Sequence, residues 1–372
     1  MHPTARVWVV TNSYPHPGRL HAAWYLQEQV ELLRAKGMRV DVFSPMDSRS
    51  GPVRGPVKYG RLALAMCAAL LRGSPDLVSA HWAFPSGLLA WAVTRVIRRP
   101  YIVWSYGAYV GDFWDRPLWA RTVVRLALRS ADRVMAISEE HRQRIVDITG
   151  LERKDIGVFT PGISLAGLRR DQGSSRARYS LEAAVPWIGF VGDLIPRKGV
   201  DLLLRALARL SALDWRLLIG GTGPAEGQLK ELAGRLGIAN RCLFLGMVRH
   251  EDVGMIFSAS DIVVVPSWAE PFGLVAPEAM ACGAAVVASN VGGLGETIRD
   301  GVNGLLFPVG DPQALAVCLE TLLQEPELRS RLTRAALEDS LAFDRRVHTD
   351  RMYQELSSLA GRRNGVRISP TH

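Results

Sequence analysis

Residues 267–289 read SWAEPFGLVAPEAMACGAAVVAS, a stretch that no single regular element can contain. Glu270 and Glu278 bracket seven residues that include two prolines and a glycine. Proline and glycine break or weaken a helix, and two prolines do not fit a central strand. The stretch therefore predicts a shaped loop that leads into a helix near Pro277 or Glu278, because proline is tolerated in a first helical turn. The unpaired amides of such a helix start favour a phosphate group.

Short apolar runs alternate with amphipathic segments on both sides of this stretch, and this pattern indicates parallel sheets covered by helices on both faces. The segment WYLQEQVELLRAKG, for example, predicts a helix that ends at Gly37. We therefore predict an α/β fold with two doubly wound, Rossmann-like domains that face each other across a cleft. The predicted strands lie in RVWVVTN, RVDVFSP, DLVSAHW, YIVWSYG, DRVMAIS and IGVFTPG of the first half, and in WIGFVGD, WRLLIGGTG, CLFLGMV, DIVVVPS, AAVVASN and NGLLFPV of the second.

The polar segment RRDQGSSRARYSLEA, which begins at Arg169, is interpreted as the linker between the two domains. We expect the first domain to span residues 1–170 and the second to span residues 171–345. Residues 346–372 are expected to form a C-terminal helix that packs back on the first domain, followed by the flexible tail GRRNGVRISPTH.

Composition indicates a globular, cytoplasmic protein. Hydrophobic residues make up 48% of the 372 residues, which is ample for packed cores. No run of about 18 uncharged apolar residues predicts a membrane span, and the N-terminus MHPTARVWVV lacks the long apolar region of a signal peptide. The cysteines lack the paired spacing of zinc or redox sites and fit reduced thiols; they are Cys67, Cys242, Cys282 and Cys318.

The net charge of +9 is unevenly distributed. Residues 1–170 contain 24 Lys and Arg against 13 Asp and Glu, a balance of +11, whereas residues 171–372 contain 21 against 23, a balance of −2. This asymmetry indicates that the first half faces a membrane surface, a nucleic acid or a charged ligand, or else that it only has an arginine-rich solvated surface. Tryptophans among these arginines suit sugar stacking or a lipid headgroup layer, although most are expected to pack in the core; they are Trp82, Trp91, Trp104, Trp114 and Trp119.

Functional residues are expected in the loops that follow the strands, because ligands bind beyond the carboxyl ends of parallel strands. Arg197 and Lys198 lie at a predicted helix start, where a guanidinium and an ammonium group suit a diphosphate; the alternative is two solvated charges. Glu270 can accept hydrogen bonds from sugar hydroxyls, and Glu278 can hold the paired hydroxyls of a ribose. The alternative is a capping glutamate and a chance second one. Together these groups describe a nucleotide sugar.

The segment EPFGLVAPEAMACGAAVVASNVGGLGETIRDGVNGLLF, together with VGDLIPRKGVDLLLRAL, GGTGP and FLGMV, resembles the family 4 retaining glycosyltransferases of the GT-B fold. The resemblance covers nearly the whole chain and is strongest from about residue 186 to residue 307. It implies sugar transfer from a nucleotide sugar with retention of anomeric configuration. It also implies that the first domain binds the acceptor and the second binds the nucleotide-sugar donor.

The resemblance also implies roles for individual residues. Glu270 contacts the donor sugar, Lys198 neutralises the phosphate, and we group Arg197 with them as catalytic. Glu278 holds the ribose, and further donor-binding positions are Phe272, Gly273, Leu274, Val275, Gly192, Gly221, Gly223, Met247 and Val248. On the acceptor side we expect His81, Tyr106 and Gly18.

We expect no metal and no cofactor, since no Asp-x-Asp pair is present in the sequence and the nucleotide sugar is a substrate. Three positions depart from the family pattern. Asp193 stands where relatives often have arginine, Tyr106 where they commonly have histidine, and Ser164 where they often have an acid. These departures bear on acceptor chemistry more than on donor binding.

The expected function is therefore retaining transfer of a sugar to a glycan or lipid-linked acceptor in cell-surface polysaccharide or glycolipid biosynthesis. The expected partners include an anionic membrane surface on the inner face of the cell membrane, and no nucleic acid. Two alternatives stay open: a non-catalytic glycosyltransferase-like binding or scaffold subunit, motivated by Asp193 and Tyr106, and a two-domain sugar-nucleotide epimerase. The presence of Glu270, Glu278 and Lys198 together favours the transferase.

Overall fold

The computed structural model describes residues 5–15, 24–45, 57–107 and 110–361. The chain divides into two compact units, Met1–Pro161 with Arg346–His372, and Gly162–Arg345. Within the described ranges each unit contains one six-stranded sheet, and every strand pairing is parallel. Each of the predicted strands is present, which confirms the α/β class and the two doubly wound sheets.

The first unit has the strand order β2-β1-β3-β4-β5-β6. Alternate residues of β1 face opposite sides of this sheet: Val7 and Val9 pack with α1, whereas Trp8 and Val10 pack with α2 to α5. The helix predicted before Gly37 is confirmed. The elements are β1 (Arg6–Thr11), α1 (Trp24–Ala35), β2 (Arg39–Phe43), α2 (Val57–Leu70), β3 (Leu77–His81), α3 (Ser86–Ile97), β4 (Tyr101–Ser105), α4 (Leu118–Arg129), β5 (Arg133–Ala136), α5 (Glu139–Thr149) and β6 (Ile156–Val158).

The second unit has the strand order β12-β11-β10-β7-β8-β9. Its helices bury apolar stripes on both faces of the sheet. The elements are α6 (Gln172–Arg178), β7 (Trp187–Val191), α7 (Val200–Ala208), β8 (Arg216–Gly220), α8 (Glu226–Arg235), β9 (Cys242–Gly246), α9 (His250–Ala259), β10 (Ile262–Val265), α10 (Val275–Cys282), β11 (Ala285–Ser289), α11 (Gly293–Thr297), β12 (Leu305–Phe307), α12 (Pro312–Gln324) and α13 (Pro326–Ser340).

The last helix, α14 (Arg345–Ala360), packs in the first unit. Its residues Met352, Leu356 and Leu359 are buried in the same cluster as Val30 and Leu33 of α1. Helix α14 therefore covers the face of the first sheet on which α1 lies.

The predicted linker is wrong, because the segment from Arg169 is folded against the second unit. Helix α6 forms within it, and Arg176 makes an ion pair of 2.6 Å with Asp261, which also accepts a hydrogen bond from the Trp187 amide. Leu168 packs in a core cluster of the second unit. The division accordingly falls after Pro161 rather than after residue 170.

Candidate active site

Lys198 and Glu270 form an ion pair at the carboxyl edge of the second sheet. Lys198 ends a short 3-10 turn after β7, and Glu270 lies in the loop between β10 and α10. Lys198 Nζ lies 2.6 Å from Glu270 Oε2, and Ser267 Oγ donates to the same oxygen at 3.3 Å. The Lys198 and Glu270 side chains are only 17% and 11% exposed. An ammonium group has three donors, so Lys198 can hold this carboxylate and still donate to a phosphate oxygen.

The loops after β7 and β10 are joined by two further hydrogen bonds. Arg197 donates from Nη1 to the Ala269 carbonyl at 2.9 Å, and the Trp268 amide donates to the Arg197 carbonyl at 2.9 Å. The Arg197 side chain is exposed, and its hydrogen bond to Ala269 directs it at the β10 loop. Asp193, the unexpected acid, is exposed in the same turn.

Gly199 allows this close approach of the two loops. Its φ is +67°, and a Cβ at this position would lie 1.9 Å from the Pro266 carbonyl oxygen. A side chain at Gly199 would therefore separate the β7 turn from the β10 loop and move Lys198 away from Glu270.

The glycines after β8 likewise allow a close approach, here between the β8 loop and the β7 loop. A Cβ at Gly221 would lie 1.9 Å from the Gly192 carbonyl oxygen, and one at Gly223 would lie 2.3 Å from that of Leu194. The structure thus brings Gly192, Gly221 and Gly223 together. Met247 and Val248 follow β9, where Met247 is 72% exposed and Val248 packs partly in two core clusters.

Helix α10 begins at Val275, two to three residues before the predicted start. Pro277 falls in the first turn, where a missing N–H costs no intrahelical bond. The N-cap residue Leu274 makes no side-chain capping bond. The Ala276 amide donates to the Gly273 carbonyl and the Glu278 amide to the Leu274 carbonyl, each at 3.0 Å, which leaves the Val275 amide of the first turn for water or a ligand. Glu278 is buried at 6% exposure and lies in the fourth position of this helix. Phe272 and Gly273 are buried just before it.

Two serines were missed by the sequence reasoning. Ser289, at the end of β11, donates from Oγ to the Ser267 carbonyl at 2.6 Å, and Ser267 in turn donates to Glu270. Ser267 is the first residue of the segment 267–289, and Ser289 is the last. The only sequence signal for these two serines is that each follows or ends a predicted strand, because the carboxyl ends of parallel strands meet at one edge of the sheet.

His81 and Tyr106, the residues predicted for the acceptor side, are in contact in the first unit. His81 ends β3 and Tyr106 follows β4, and His81 Nδ1 lies 2.9 Å from the Tyr106 hydroxyl. Burial lowers the pKa of His81 to about 3, so its ring is neutral at physiological pH. Burial also raises the pKa of Tyr106 well above its usual value, with a smaller contribution from Tyr25. Gly18 lies outside the described residues.

In the described part of the chain, no group of three or more His, Cys, Asp or Glu is placed to hold a metal ion. Within the same described ranges, no helix is both long and apolar enough to cross a membrane.

Both units of the chain match families of glycosyltransferases. Residues 171–339 match the family Glycosyl transferases group 1, and residues 22–162 match the Glycosyl transferase 4-like domain. A D-inositol 3-phosphate glycosyltransferase of Mycobacterium sp. (strain JLS) is 35% identical over 319 residues, which cover 79% of this chain and 71% of the relative. The chain belongs to the group 1 glycosyltransferases. The resemblance to family 4 is thus confirmed.

Other similar proteins extend over more of this group 1 glycosyltransferase. The D-inositol 3-phosphate glycosyltransferase of Mycolicibacterium gilvum (strain PYR-GCK) is 30% identical over 398 residues, covering 93% of the chain and 89% of that protein. Sucrose-phosphate synthase from Thermosynechococcus elongatus has a TM-score of 0.84 at 24% identity, with 95% and 99% of the two chains covered. HepE of Anabaena, solved in complex with UDP-glucose, has a TM-score of 0.76 at 22% identity, with coverage of 95% and 99%. These likenesses show that the fold is that of the GT-B glycosyltransferases.

Proposed function

We propose that this glycosyltransferase transfers a sugar from a nucleoside diphosphate sugar with retention of anomeric configuration and without a metal ion. The observation that carries the proposal is the Lys198–Glu270 contact of 2.6 Å beside the uncapped start of α10. A leaving diphosphate gains negative charge, and preorganised N–H donors stabilise such charge more than they stabilise the bound substrate. The UDP-glucose bound to the structural neighbour HepE supports a nucleotide-sugar donor.

In the proposed reaction, the bond between the anomeric carbon and the diphosphate oxygen breaks, and an acceptor hydroxyl oxygen bonds to the same face of that carbon. The acceptor proton leaves with the nucleoside diphosphate. Lys198 holds the developing charge of the diphosphate, and Glu270 accepts a hydrogen bond from a hydroxyl of the donor sugar. Glu278 accepts hydrogen bonds from the ribose.

The proposed acceptor is a glycan carried on a lipid, and the first unit attaches reversibly to an anionic membrane surface. The support is a surface that we call the α2–α4 face. It contains eight exposed apolar side chains, Val57, Leu64, Leu71, Val96, Trp114, Leu118, Trp119 and Leu126. Helices α2, α3 and α4 contain no Asp or Glu, whereas α5 on the same face of the sheet, and α1 and α14 on the opposite face, contain both signs of charge. Exposed arginines on or next to these helices add positive charge; they are Arg61, Arg72, Arg95, Arg98 and Arg129.

A soluble cyclitol phosphate is a second candidate acceptor. The observation that favours it is the 35% identity to a D-inositol 3-phosphate glycosyltransferase over 79% of the chain. The cationic balance of the first half suits a phosphorylated acceptor as well as it suits an anionic membrane.

The test is a transfer assay with two acceptors. The protein is incubated with UDP-glucose and a panel of other UDP-, GDP- and ADP-sugars, each with a lipid-linked glycan in anionic vesicles or with D-inositol 3-phosphate. Released nucleoside diphosphate and the product are both measured, and proton NMR gives the anomeric configuration of the new bond. We expect acceptor-dependent release, a retained configuration and unchanged rates in EDTA.

Each other outcome overturns a stated part of the proposal. Inversion at the anomeric carbon excludes the retaining reaction, and loss of activity in EDTA excludes metal independence. Binding of nucleotide without any transfer across the panel supports the non-catalytic scaffold. Epimerised sugar nucleotide without an acceptor product supports the epimerase.

A further inference from the structure

Four residues of the first unit form a buried chain of hydrogen-bonding groups that donor chemistry does not use. Trp104 Nε1 donates to Ser79 Oγ at 2.9 Å. Ser79 Oγ lies 3.3 Å from His81 Nε2, and His81 Nδ1 lies 2.9 Å from the Tyr106 hydroxyl. Trp104, Ser79 and His81 are at most 2% exposed, whereas Tyr106 is partly exposed. This series of hydrogen bonds therefore runs from the interior of the sheet, at Trp104, to its carboxyl edge, at Tyr106.

The direction of the protons in this chain follows from Trp104, because an indole N–H can only donate. Ser79 Oγ accepts this hydrogen bond, and among the described residues its only other partner is His81 Nε2. If Nε2 carried the ring proton, the buried hydroxyl proton of Ser79 would have no acceptor, which is costly. If Nδ1 carries it, Ser79 donates to Nε2 and His81 donates to the oxygen of Tyr106.

We propose that Trp104, Ser79 and His81 orient the Tyr106 hydroxyl so that it donates outward to an oxygen of the acceptor substrate. In this arrangement the Tyr106 oxygen accepts from His81 Nδ1–H, and its own proton is left to point away from the histidine. Tyr106 contacts the acceptor, and His81 is a positioning residue rather than a general base. The inference rests on the proposed function, because it names the contact that the transferase makes with its acceptor.

The surroundings of Tyr106 agree with a ring-shaped acceptor. Its ring centroid lies 5.2 Å from that of Trp82 and 5.6 Å from that of Tyr25, and all three side chains are partly exposed. Aromatic faces of this kind pack against the apolar face of a sugar or cyclitol. Burial keeps His81 neutral and the Tyr106 hydroxyl protonated, since it lowers the pKa of the histidine and raises that of the tyrosine. The Tyr106 hydroxyl can donate to the acceptor only if it keeps its proton and if the neutral His81 ring donates to its oxygen.

The tautomer of His81 is measured by nitrogen-15 NMR of the free protein, and this measurement requires no substrate. We expect the Nδ1–H form to exceed the Nε2–H form at least about tenfold at neutral pH, because the other form leaves a buried hydroxyl unsatisfied. The signal is assigned by its loss in His81→Gln. In Ser79→Ala the preference should be lost, whereas Ser79→Thr, which keeps the hydroxyl, should retain it.

A matched control is present in the neighbouring strand. Ser105 Oγ lies 2.8 Å from His141 Nε2, so Ser105→Ala should change the signals of His141 and leave those of His81 unchanged. A dominant Nε2–H form of His81 in the wild-type protein would overturn the proposal, because the Tyr106 hydroxyl would then point at His81.

The contact with the acceptor is tested with whichever of the two acceptors supports transfer. Tyr106→Phe should raise the acceptor KM about tenfold and leave the UDP-sugar KM within about twofold, since one hydrogen bond to the acceptor is lost. The control is Tyr101→Phe, which removes a buried hydroxyl that donates to the Ala127 carbonyl at 2.8 Å. That variant should lose stability and keep its acceptor KM.

An unchanged acceptor KM in Tyr106→Phe would overturn the assigned contact. If neither acceptor takes up sugar, the proposed function fails, while the tautomer measurement still decides the direction of the hydrogen-bonded chain. The two failures are therefore distinguishable.

Discussion

At the scale of single residues, the Lys198–Glu270 ion pair stabilises the fold and also supplies the cation of the proposed reaction. The Lys198 and Glu270 side chains are only 17% and 11% exposed, so the ammonium group and the carboxylate stabilise each other where little solvent reaches them. Ser267 adds only a hydrogen bond of 3.3 Å to the carboxylate. Removal of the lysine is therefore expected to affect folding as well as turnover.

We predict that Lys198→Met lowers kcat by about 10²-fold or more, because the cation that faces the leaving diphosphate is lost. The free energy of unfolding should fall by about 1–2 kcal/mol, less than for a fully buried pair, since both groups retain some solvent. The double variant Lys198→Met with Glu270→Leu is the control. It should regain stability without activity, and a fully active Lys198→Met would exclude the lysine from the reaction.

Glu278 gives a prediction for nucleotide binding. Glu278→Ala should weaken the binding of bare UDP by roughly 10- to 100-fold, because a hydrogen bond to a charged group contributes about 1.5–3 kcal/mol. Isothermal titration calorimetry measures the change. The exposed Glu231, paired only loosely with Arg235 at 3.7 Å, provides the control Glu231→Gln. Equal UDP affinity in folded Glu278→Ala and wild type would remove this residue from the ribose.

His141 gives a prediction for pH dependence. Burial, with a smaller effect of Arg144, lowers the pKa of His141 to about 4, whereas an unfolded histidine has a pKa of about 6.5. Below about pH 6.5 the unfolded chain therefore binds a proton that the folded chain does not. The resulting stability is complete above that pH and is lost as the pH falls towards 4, by up to about 1.4 kcal/mol per unit.

The variant His141→Gln isolates this effect. We expect the variant to be less stable than wild type at pH 7 and the difference to narrow by pH 5, as measured by urea denaturation at both values. Carboxylates titrate equally in the two proteins and cancel in the comparison. A difference that is the same at both pH values would show that His141 does not stay neutral in the folded state.

At the scale of elements, the α2–α4 face differs from the opposite side of its sheet. Its helices bury Leu62, Met66, Val124 and Leu128 towards the sheet, yet they leave large apolar side chains such as Leu118, at 77% exposure, in solvent. Exposed apolar residues that form a patch indicate an interaction site more often than scattered ones do. The absence of Asp and Glu from all three helices agrees with the proposed attachment to an anionic lipid surface.

We predict that the protein sediments with vesicles in proportion to their content of anionic lipid and is released by high salt. Each Lys or Arg near such a surface contributes about 1 kcal/mol, and salt screens this attraction. The double variant Leu118→Ser with Trp119→Ser should lose most of the binding. Val347→Ser on α14, where Val347 is 44% exposed, is the control and should bind as wild type does.

Two results would contradict the assignment of this face. The first is wild-type protein that stays in the supernatant at every lipid composition. The second is equal loss of vesicle binding in the Val347 control, which would place the contact elsewhere. Transfer to a soluble acceptor is measured with the same variants, so that a folding defect is recognised.

At the scale of the whole molecule, helix α14 belongs to the core of the first unit although it follows the second unit in the sequence. The chain leaves the second unit at Arg345, whose amide donates to the Ile163 carbonyl at 2.8 Å, and then buries Met352, Leu356 and Leu359 in the first unit. The first unit therefore needs the last helix for its core. The second unit is complete between Gly162 and Arg345.

We predict that truncation after residue 345 unfolds the first unit and spares the second. Loss of a single buried Leu or Met side chain costs about 2–5 kcal/mol, and three of them together approach the 5–15 kcal/mol that stabilises a typical domain. The truncated chain should still bind UDP, as measured by calorimetry, while its transfer activity is lost. Truncation after residue 361 is the control and should leave both properties intact. A truncated chain with a cooperative, wild-type transition would contradict the packing of α14.

The sequence alone determined the element types and the irregular backbone of the loop before α10. Strand and helix periodicities are local properties, so all twelve strands and the helix before Gly37 were predictable. Proline and glycine act through their own backbone restrictions, which made the loop before α10 recognisable. Because proline is tolerated at several positions of a first helical turn, the predicted start of α10 lay two to three residues after the observed one.

Only the tertiary structure decided which residues meet. Lys198 and Glu270 are 72 positions apart, and the parallel order of β7 and β10 brings them to one edge of the sheet. The segment from Arg169 is polar in composition, yet the pairing of Arg176 with Asp261, 85 positions away, folds it onto the second unit. The direction of the protons from Trp104 to Tyr106 likewise depends on distances across β3 and β4. Contacts of this kind arise from packing between distant segments, and no local pattern in the sequence encodes them.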